Sequence, residues 1–244
     1  MKIYENIVEY YDELFPITLE QKNFFNETIH SFNAPPKLLS IACGTGNFEH
    51  NLAKANCDVT GIENIPELLE SASRKRRTQL MALRFFQMTP REMNRFLGKG
   101  FYNIISFLND RIAFISDTVL QRKLFLDCKE LLAKNGKCIL SLVNYEKYAT
   151  APEVELPIRK SIRSTLYSRI IALQNDRWLL DQSLETGQGR LLTITEAAPI
   201  YPITQQEIDC FAKEAGFKHR AYYADFTRAP FDKKNSDQLV VELS

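Results

Sequence analysis

The stretch LLSIACGTGNF, residues 38–48, constrains this chain most, because an apolar strand there runs into a turn with two glycines, Gly44 and Gly46. Glycine permits the turn conformation and lets a ligand approach bare backbone N–H groups. A segment with helical periodicity follows, and nucleotide-like ligands bind in front of such turns at the carboxyl edge of a parallel sheet. A second strand ends on Glu63, about twenty residues on, where a carboxylate can accept hydrogen bonds from both hydroxyls of a ribose.

Apolar strands alternate with helical segments through the first part of the chain. Strands are predicted at 37–42, 57–62, 83–88, 102–108 and 137–143, with helices near 45–55, 66–77, 90–97 and 117–134. Unbroken apolar strands of this kind are typical of a sheet that helices cover on both faces. Two more strands follow, at 217–224 and 238–243. We therefore predict an α/β fold with a doubly wound, seven-stranded, mostly parallel sheet.

Two segments lie outside this alternation. Near the N-terminus we predict a helix over 4–15 and a second one that starts at the capping box Thr18–Gln21. After the fifth strand, three segments with strand periodicity follow, at 165–173, 177–186 and 190–198, before the capping box Thr204–Glu207 resumes the α/β pattern. We divide the chain into a core of residues 1–146 and 199–244, with a helical cap over 1–34, and an antiparallel β insertion over 147–198. The insertion is expected to act as a substrate lid or a dimer contact.

Charge and composition exclude several classes of protein. The chain has 31 Lys and Arg against 30 Asp and Glu, which argues against a nucleic-acid surface. It has neither an apolar run long enough to span a membrane nor the apolar core of a signal peptide. Five scattered cysteines without a Cys-x-x-Cys pair indicate free thiols in a reducing compartment, so we expect a cytoplasmic protein. The three histidines, His30, His50 and His219, are too far apart in sequence to suggest a metal site.

The glycine turn does not have the sequence of a phosphate-binding loop. A dinucleotide-binding turn has a third glycine that lets helix and strand pack closely under a pyrophosphate, but Asn47 or Glu49 stands there. No Gly-Lys-Ser/Thr follows, so a Walker-type loop is excluded as well. A nicotinamide dehydrogenase is therefore disfavoured, and the remaining interpretation is a nucleoside without phosphates.

LLSIACGTGNF and VTGIENIPELLESA resemble motifs one and two of the class I S-adenosylmethionine-dependent methyltransferases. Further segments are similar to a small-molecule branch that includes glycine and sarcosine N-methyltransferases: YYDELFP, FYNIISFLND, NYE, IYPITQQEIDCFAKEAGF and YADFTRAPFD. The resemblance covers nearly the whole chain and is specific for fold and cofactor but not for substrate. It implies a Rossmann-like methyltransferase fold whose last strand is antiparallel, and S-adenosyl-L-methionine as the cofactor.

The resemblance also implies a set of cofactor-binding residues. The turn would follow the methionine part of the cofactor, Glu63 would bind the ribose hydroxyls, and Tyr11 would close over the ligand from the N-terminal helix. Met88 and Thr89 fall where the family reads the adenine edge, and Asn109 falls at the methionine end. The full set is Tyr11, Ala42, Cys43, Gly44, Thr45, Gly46, Glu63, Asn64, Met88, Thr89 and Asn109.

Three residues depart from the family pattern. Ser40 stands where motif one usually has an acid, Thr89 replaces an adenine-binding Asp, and Leu108 replaces a common Gly. Ser40 and Thr89 can still form hydrogen bonds but carry no charge, and each change is expected to cost about 1–2 kcal/mol of cofactor binding. These departures support a second hypothesis, a cofactor-binding domain with weak or lost catalysis that regulates or scaffolds.

Candidates for the acceptor side follow the ends of strands. Methyl transfer from a sulfonium is an in-line displacement, so the protein mainly aligns the reactants in a dry pocket, and a base is needed only for a protonated acceptor. The candidates are Asn109, Asp110, Arg111 and Tyr145. Three arginines of the insertion are able to clamp a substrate carboxylate, although a solvated strand face explains at least two of them: Arg159, Arg163 and Arg169.

Two hypotheses result. The leading one is a methyltransferase that acts on N or O of a small molecule, and a homodimer through the insertion is compatible with it. The alternative is the catalytically silent domain. Nucleic-acid methylation has only the basic run Arg74–Arg77 in its favour, and a solvated helix end explains that run better.

Overall fold

The computed structural model describes residues 5–76, 82–148, 151–173 and 178–244. In these ranges twelve strands form two sheets. They are β1 Lys37–Ile41, β2 Asp58–Glu63, β3 Leu83–Gln87, β4 Tyr102–Phe107, β5 Leu132–Val143, β6 Glu153–Glu155, β7 Arg159–Lys160, β8 Ser164–Ala172, β9 Trp178–Thr186, β10 Leu191–Ile200, β11 Arg220–Tyr223 and β12 Gln238–Leu243.

Seven strands form the main sheet, in the order β11-β12-β5-β4-β1-β2-β3. Strand β1 pairs in parallel with β2 and β4, which pair in parallel with β3 and β5. Strand β12 is antiparallel to both β5 and β11, so it alone runs against the other six. The predicted fold class, with an antiparallel last strand, is confirmed.

Helices cover both faces of this sheet. They are α1 Tyr11–Leu14, α2 Leu19–His30, α3 Asn47–Lys54, α4 Pro66–Arg76, α5 Met93–Phe96, α6 Thr118–Leu131 and α7 Gln205–Glu214. Adjacent residues of β1 point to opposite faces. Leu39 packs in a core with residues of α6 and α7, whereas Leu38 packs in another with residues of α2 and α3. No helix among the described residues is long and apolar enough to cross a membrane.

The junction of α6 and β5 differs from the prediction. The sequence predicts this helix to 134, since Asn135-Gly136 is a typical helix stop, but α6 ends at Leu131 and β5 begins at once. Leu132 has extended backbone angles and pairs with Tyr102 of β4. Asn135 (φ 61°) lies within β5, next to a register shift in this pairing. Pairing with β4 therefore outweighs the helical propensity of residues 132–134.

The predicted N-terminal helix is interrupted. Residues Glu5–Ile7 form one 3₁₀ turn, and α1 is a separate helix of one turn without a side-chain cap. Tertiary packing holds the segment, because Ile7, Tyr11 and Leu14 are buried in a core that includes residues of β8, β9 and β10. The next helix, α2, begins as predicted, with the Gln21 N–H donating to Thr18 Oγ1 at 3.2 Å.

The second sheet is antiparallel and lies in the predicted insertion. Its order is β10-β9-β8-β6, and β7 also pairs with β8. The three long strands match the predicted segments, whereas the short strands β6 and β7 were not predicted because prolines interrupt this part of the sequence. The sequence also predicts a turn at Asn175-Asp176 between the first two of the long strands, and this pair lies outside the described residues. After β10, α7 begins with the complete Thr204–Glu207 capping box.

Candidate functional site

The glycine turn follows β1 and is fixed against β2. The Cys43 N–H donates to the Ile62 carbonyl at 3.0 Å. Gly44 (φ +60°) and Gly46 (φ +70°) both have left-handed backbone, which a side chain would strain. A Cβ on Gly44 would come within 2.7 Å of the Tyr11 ring, so glycine is also required by close packing. Tyr11 of the N-terminal segment thus lies directly on the turn.

Glu63, at the end of β2, is fully buried beside the turn. One carboxylate oxygen accepts from the Gly44 N–H at 2.9 Å, and the other accepts from the N–H groups of Asn64 and Ile65 at 2.8 and 3.0 Å. Arg111, which follows β4, donates to both oxygens from its guanidinium. The structure therefore brings Glu63 and the turn together as predicted, but protein groups occupy the carboxylate, and Glu63 lines neither of the two cavities described below.

A second contact between the N-terminal segment and the turn involves Asp12. Its carboxylate accepts a hydrogen bond from Thr45 Oγ1 and pairs with Arg76 at the end of α4. The cavity left between this segment and the turn is about 30 Å³, enough for about one water molecule. A nucleoside can bind over the turn only if Tyr11 and Asp12 move away from it.

A carboxylate that the sequence analysis did not assign to the site lies below the turn. Ser40 Oγ donates to Glu49 Oε1 at 2.5 Å, and both side chains are buried. Burial raises the pKa of Glu49 from 4.5 to about 7, against the lowering effect of the Ser40 hydrogen bond. Burial also raises the pKa of the Cys43 thiol in the turn, and the charges of Glu49 and Glu63 add to this. In the sequence, Glu49 stands out only as one of the two residues in the place of a third glycine, and the missing acid at Ser40 does not by itself identify Glu49 as its replacement.

A much larger cavity, about 650 Å³, opens beyond the ends of β4 and β5. Asn109, Asp110 and Arg111 line it, together with residues of the N-terminal segment and of the second sheet. Asn109 (φ 57°) and Asp110 (φ 62°) both have left-handed backbone, which is costly for residues other than glycine and is concentrated at functional sites. The volume lies within the range of small-molecule sites.

Asp110 is held in the wall of this cavity by two hydrogen bonds. Tyr145 Oη donates to one carboxylate oxygen at 2.6 Å, and the Val143 N–H donates to the other at 3.1 Å. Burial raises the pKa of Asp110 from 3.8 to about 6, while Tyr145, Val143 and Arg159 act to lower it. Tyr145 does not itself line the cavity, so it supports Asp110 from behind.

The three arginines of the insertion have different surroundings. Arg163 pairs with Glu9 and Glu13 of the N-terminal segment, and Arg169 pairs with Glu153 and Asp181 on the second sheet. Arg159 lines the large cavity and lies over the Phe15 ring, 4.8 Å from its centroid. Burial lowers the pKa of Arg159, and the charge of Asp110 opposes this. Of the three, Arg159 is the one that faces the cavity.

Some predicted residues lie apart from both cavities. Asn64 is exposed, Met88 packs against a hydrophobic core, and the Thr89 hydroxyl donates to Glu92 at 2.7 Å. In the basic run, Arg76 pairs with Asp12, while Arg74 and Lys75 are exposed and residue 77 lies outside the described residues. Among the described residues, no group of three His, Cys, Asp or Glu is arranged to hold a metal ion.

The residue types at the glycine turn and at the end of β2 are compatible with an adenosyl sulfonium ligand. The turn has glycines at 44 and 46, the acid Glu63 ends β2 with its carboxylate held by protein groups, and Glu49 Oε2 is buried without a hydrogen-bond partner in the described part of the chain. The large cavity lies beside Asn109, where an acceptor would meet the methionine end.

Comparison with known proteins gives matches of one kind. Residues 38–136 match the family model of a methyltransferase domain. A putative methyltransferase of Geobacillus sp. (strain WCH70) is 25% identical over 138 residues. The match covers 54% of this chain and 54% of that protein, so the chain spans about half the length of this curated relative.

Solved structures share the fold over almost the whole chain. An S-adenosylmethionine-dependent methyltransferase from Clostridium acetobutylicum ATCC 824 has a TM-score of 0.77 at 17% identity, with 99% of this chain and 98% of that chain covered. The CcbJ methyltransferase from Streptomyces caelestis has a TM-score of 0.78 at 18% identity, with 97% and 95% covered. At these identities the likeness establishes the fold.

Proposed function

We propose that this chain, whose residues 38–136 match the family model of a methyltransferase domain, is an S-adenosylmethionine-dependent methyltransferase that transfers a methyl group to N or O of a small molecule. The observation that carries the proposal is the pairing of the glycine turn with the acid of β2, where the Gly44 N–H donates to Glu63 at 2.9 Å. Backbone donors and a carboxylate meet there at the carboxyl ends of parallel strands, where adenosyl ligands bind in doubly wound sheets.

When bound, the cofactor supplies a methyl group activated by a sulfonium. We assign the methionine part to Ala42, Cys43, Gly44, Thr45 and Gly46, the ribose to Glu63 and Asn64, and the adenine edge to Met88 and Thr89. Tyr11 covers the ligand, and Asn109 lies at the boundary with the acceptor cavity. In this arrangement Tyr11 moves off Gly44 when the ligand enters, because its ring lies within van der Waals distance of the turn.

The acceptor binds in the large cavity, where Asp110 has a defined chemical role. A carboxylate whose pKa is about 6 is mostly ionised at neutral pH and is able to accept a proton from an amine or hydroxyl acceptor. Tyr145 and the Val143 N–H hold the two oxygens of Asp110 in place, so the carboxylate keeps one orientation towards the acceptor. Its neighbour Arg111 keeps the charge of Glu63 compensated.

Arg159 suggests which acceptors fit. Its guanidinium faces the cavity with no hydrogen bond or ion pair to the described residues, and Phe15 supports it from one side. A guanidinium in such a setting favours a carboxylate or phosphate group of the acceptor. Arg159→Gln should then raise KM for an anionic acceptor at least tenfold with little change in kcat, and the matched variant Arg169→Gln should leave both unchanged.

Turnover tests the main proposal. The protein is incubated with S-adenosylmethionine and a broad panel of small amines and alcohols, in pairs with and without an anionic group, and S-adenosylhomocysteine is measured by mass spectrometry. Acceptor-dependent formation of this product is expected. Cofactor binding without turnover across the panel favours the catalytically silent alternative, and no cofactor binding at millimolar concentration contradicts both.

Three further expectations belong to this proposal. The core comprises residues 1–146 and 199–244, with the cap over 1–34, and residues 147–198 form an insertion that closes over the acceptor or joins two copies of the chain. Light scattering in solution tests the homodimer.

The cytoplasm is the expected location, because all five cysteines are free thiols in the structure. The near-neutral charge disfavours nucleic acid as substrate.

A further inference from the structure

Glu49 reaches the glycine turn from the helix that follows it. Gly46 is the N-cap of α3 and Glu49 is the third residue of the helix, where a carboxylate is favoured by the helix dipole. Its Oε1 accepts from Ser40 Oγ at 2.5 Å, so the carboxylate lies over the strand position at which the resembled family usually has its acid. An acid is therefore present at this point of the fold, but α3 supplies it in place of β1.

The second oxygen of this carboxylate accepts no hydrogen bond from the residues that the structure describes. Glu49 is 2% exposed, and its Oε2 makes no hydrogen bond in the described part of the chain. The small cavity of about 30 Å³ is lined by Glu49 together with Asp12, Ala42, Thr45 and Asn109. A buried carboxylate oxygen without a donor is costly. The site thus lacks one hydrogen-bond donor.

Two of the three carboxylates around the turn have a cationic partner. Asp12 and Glu63 are the carboxylates whose charges act on Glu49, and each has a cationic partner, Arg76 and Arg111 respectively. In the described part of the chain Glu49 has no cationic partner, and its carboxylate is stabilised only by the Ser40 hydroxyl and by a hydrogen bond from its own backbone N–H. A ligand that brings one positive donor group would balance this site, because a buried carboxylate is stabilised by a charge-assisted hydrogen bond.

We propose that Glu49 binds the α-ammonium group of S-adenosylmethionine, directly or through one water molecule, and is the positioning residue for the methionine end of the cofactor. This inference rests on the proposed function, since it concerns the same ligand. Glu49 would thereby supply the acid that the resembled family usually has at the position of Ser40. It also explains why a carboxylate occurs here, where it would repel a phosphate.

The test compares two ligands that differ in the amino-acid part. S-Adenosylhomocysteine carries the ammonium group, whereas 5′-methylthioadenosine has the nucleoside and the thioether alone. Glu49→Gln should raise the Kd for S-adenosylhomocysteine about tenfold or more and leave the Kd for methylthioadenosine unchanged in calorimetric titrations. Glu70→Gln, an exposed acid on α4, is the matched control and should change neither.

Two further measurements separate binding from a structural role. Ser40→Asp combined with Glu49→Gln returns the acid to β1 and should recover part of the lost affinity. On the wild-type protein, the deamino analogue of S-adenosylhomocysteine should bind at least tenfold more weakly than the parent, a result that does not depend on the folding of any variant.

The outcomes are distinguishable. If Glu49→Gln weakens both ligands equally or neither, or if the deamino analogue binds as well as the parent, the assignment of Glu49 is overturned while the proposed function stands. If the wild-type protein binds none of these ligands, the proposed function itself fails.

Discussion

Arg111 donates to both carboxylate oxygens of Glu63, at 3.3 and 3.4 Å, and the two side chains are 8% and 0% exposed. The acid assigned to the ribose is thus already paired by a residue that follows β4. Ribose hydroxyls would share or take over the oxygens that Arg111 now contacts. The ion pair therefore keeps the buried charge of Glu63 compensated before a ligand arrives.

Removal of this arginine should destabilise the protein. Arg111→Met leaves Glu63 as a buried charge without a cation, which typically costs about 3–5 kcal/mol. Urea unfolding should show a loss of this size. The exposed Arg169→Met should cost less than about 1 kcal/mol, because surface ion pairs contribute little. Equal losses of unfolding free energy in the two variants would show that the buried pair contributes no more to stability than the exposed one.

Gly44→Ala should disturb the turn through Tyr11. The new Cβ would lie 2.7 Å from the ring, and the left-handed backbone at Gly44 adds strain. We expect a loss of about 1–3 kcal/mol in unfolding experiments, because non-glycine residues are strained here. Adding Tyr11→Ala removes the clash but not the strain, so the double variant should lose less than the sum of the single losses. Simple additivity would contradict the contact.

The hydrogen bond from Tyr145 should lower the pKa of Asp110. Burial raises this pKa to about 6, and Tyr145 opposes the rise. Tyr145→Phe should therefore move the pKa of Asp110 further upwards, so that the carboxyl group stays protonated to a higher pH. Carbon-13 NMR of labelled aspartates measures this titration, with Asp110→Asn to assign the signal. An unchanged or lower pKa would contradict the role of Tyr145.

Glu49 should make stability fall as pH rises. Its pKa is raised from 4.5 to about 7 by burial, next to Asp12 and Glu63, so the folded state holds this proton more tightly than the unfolded state. The stabilisation is complete below about pH 4.5 and is lost as pH rises through 7, by about 3 kcal/mol in total. Glu49→Gln should remove this slope. A variant with the same pH dependence as wild type would disprove it.

The sequence predicted those features that depend on local pattern. Apolar runs predicted the strands of the main sheet, and the Thr204–Glu207 box predicted the start of α7, because caps and periodicity are local properties. The predicted end of α6 was wrong, because Leu132 pairs with Tyr102 of β4, which is distant in sequence. Arg111 was a candidate, but its partner Glu63 lies 48 residues away in sequence, so the pairing follows from the fold alone.

Glu49 shows the same limit within the site. The nine positions that separate Ser40 from Glu49 in sequence say little about their distance in space, because the turn between β1 and α3 redirects the chain. Asp12 is a similar case, as its partners Thr45 and Arg76 come from other elements. Residues that act across elements become visible only when the packing is known.

Calorimetric titration with S-adenosylhomocysteine tests the central claim most directly, on the wild-type protein and on Arg111→Met with and without Glu63→Gln. Both variants lack Arg111. The effect of Glu63 on ribose binding is therefore measured without leaving a buried arginine that has lost its carboxylate partner. The account predicts micromolar binding by the wild type and a loss of about tenfold or more when Glu63→Gln is added to Arg111→Met. No binding by the wild type at millimolar ligand, or no loss from Glu63→Gln, would contradict it.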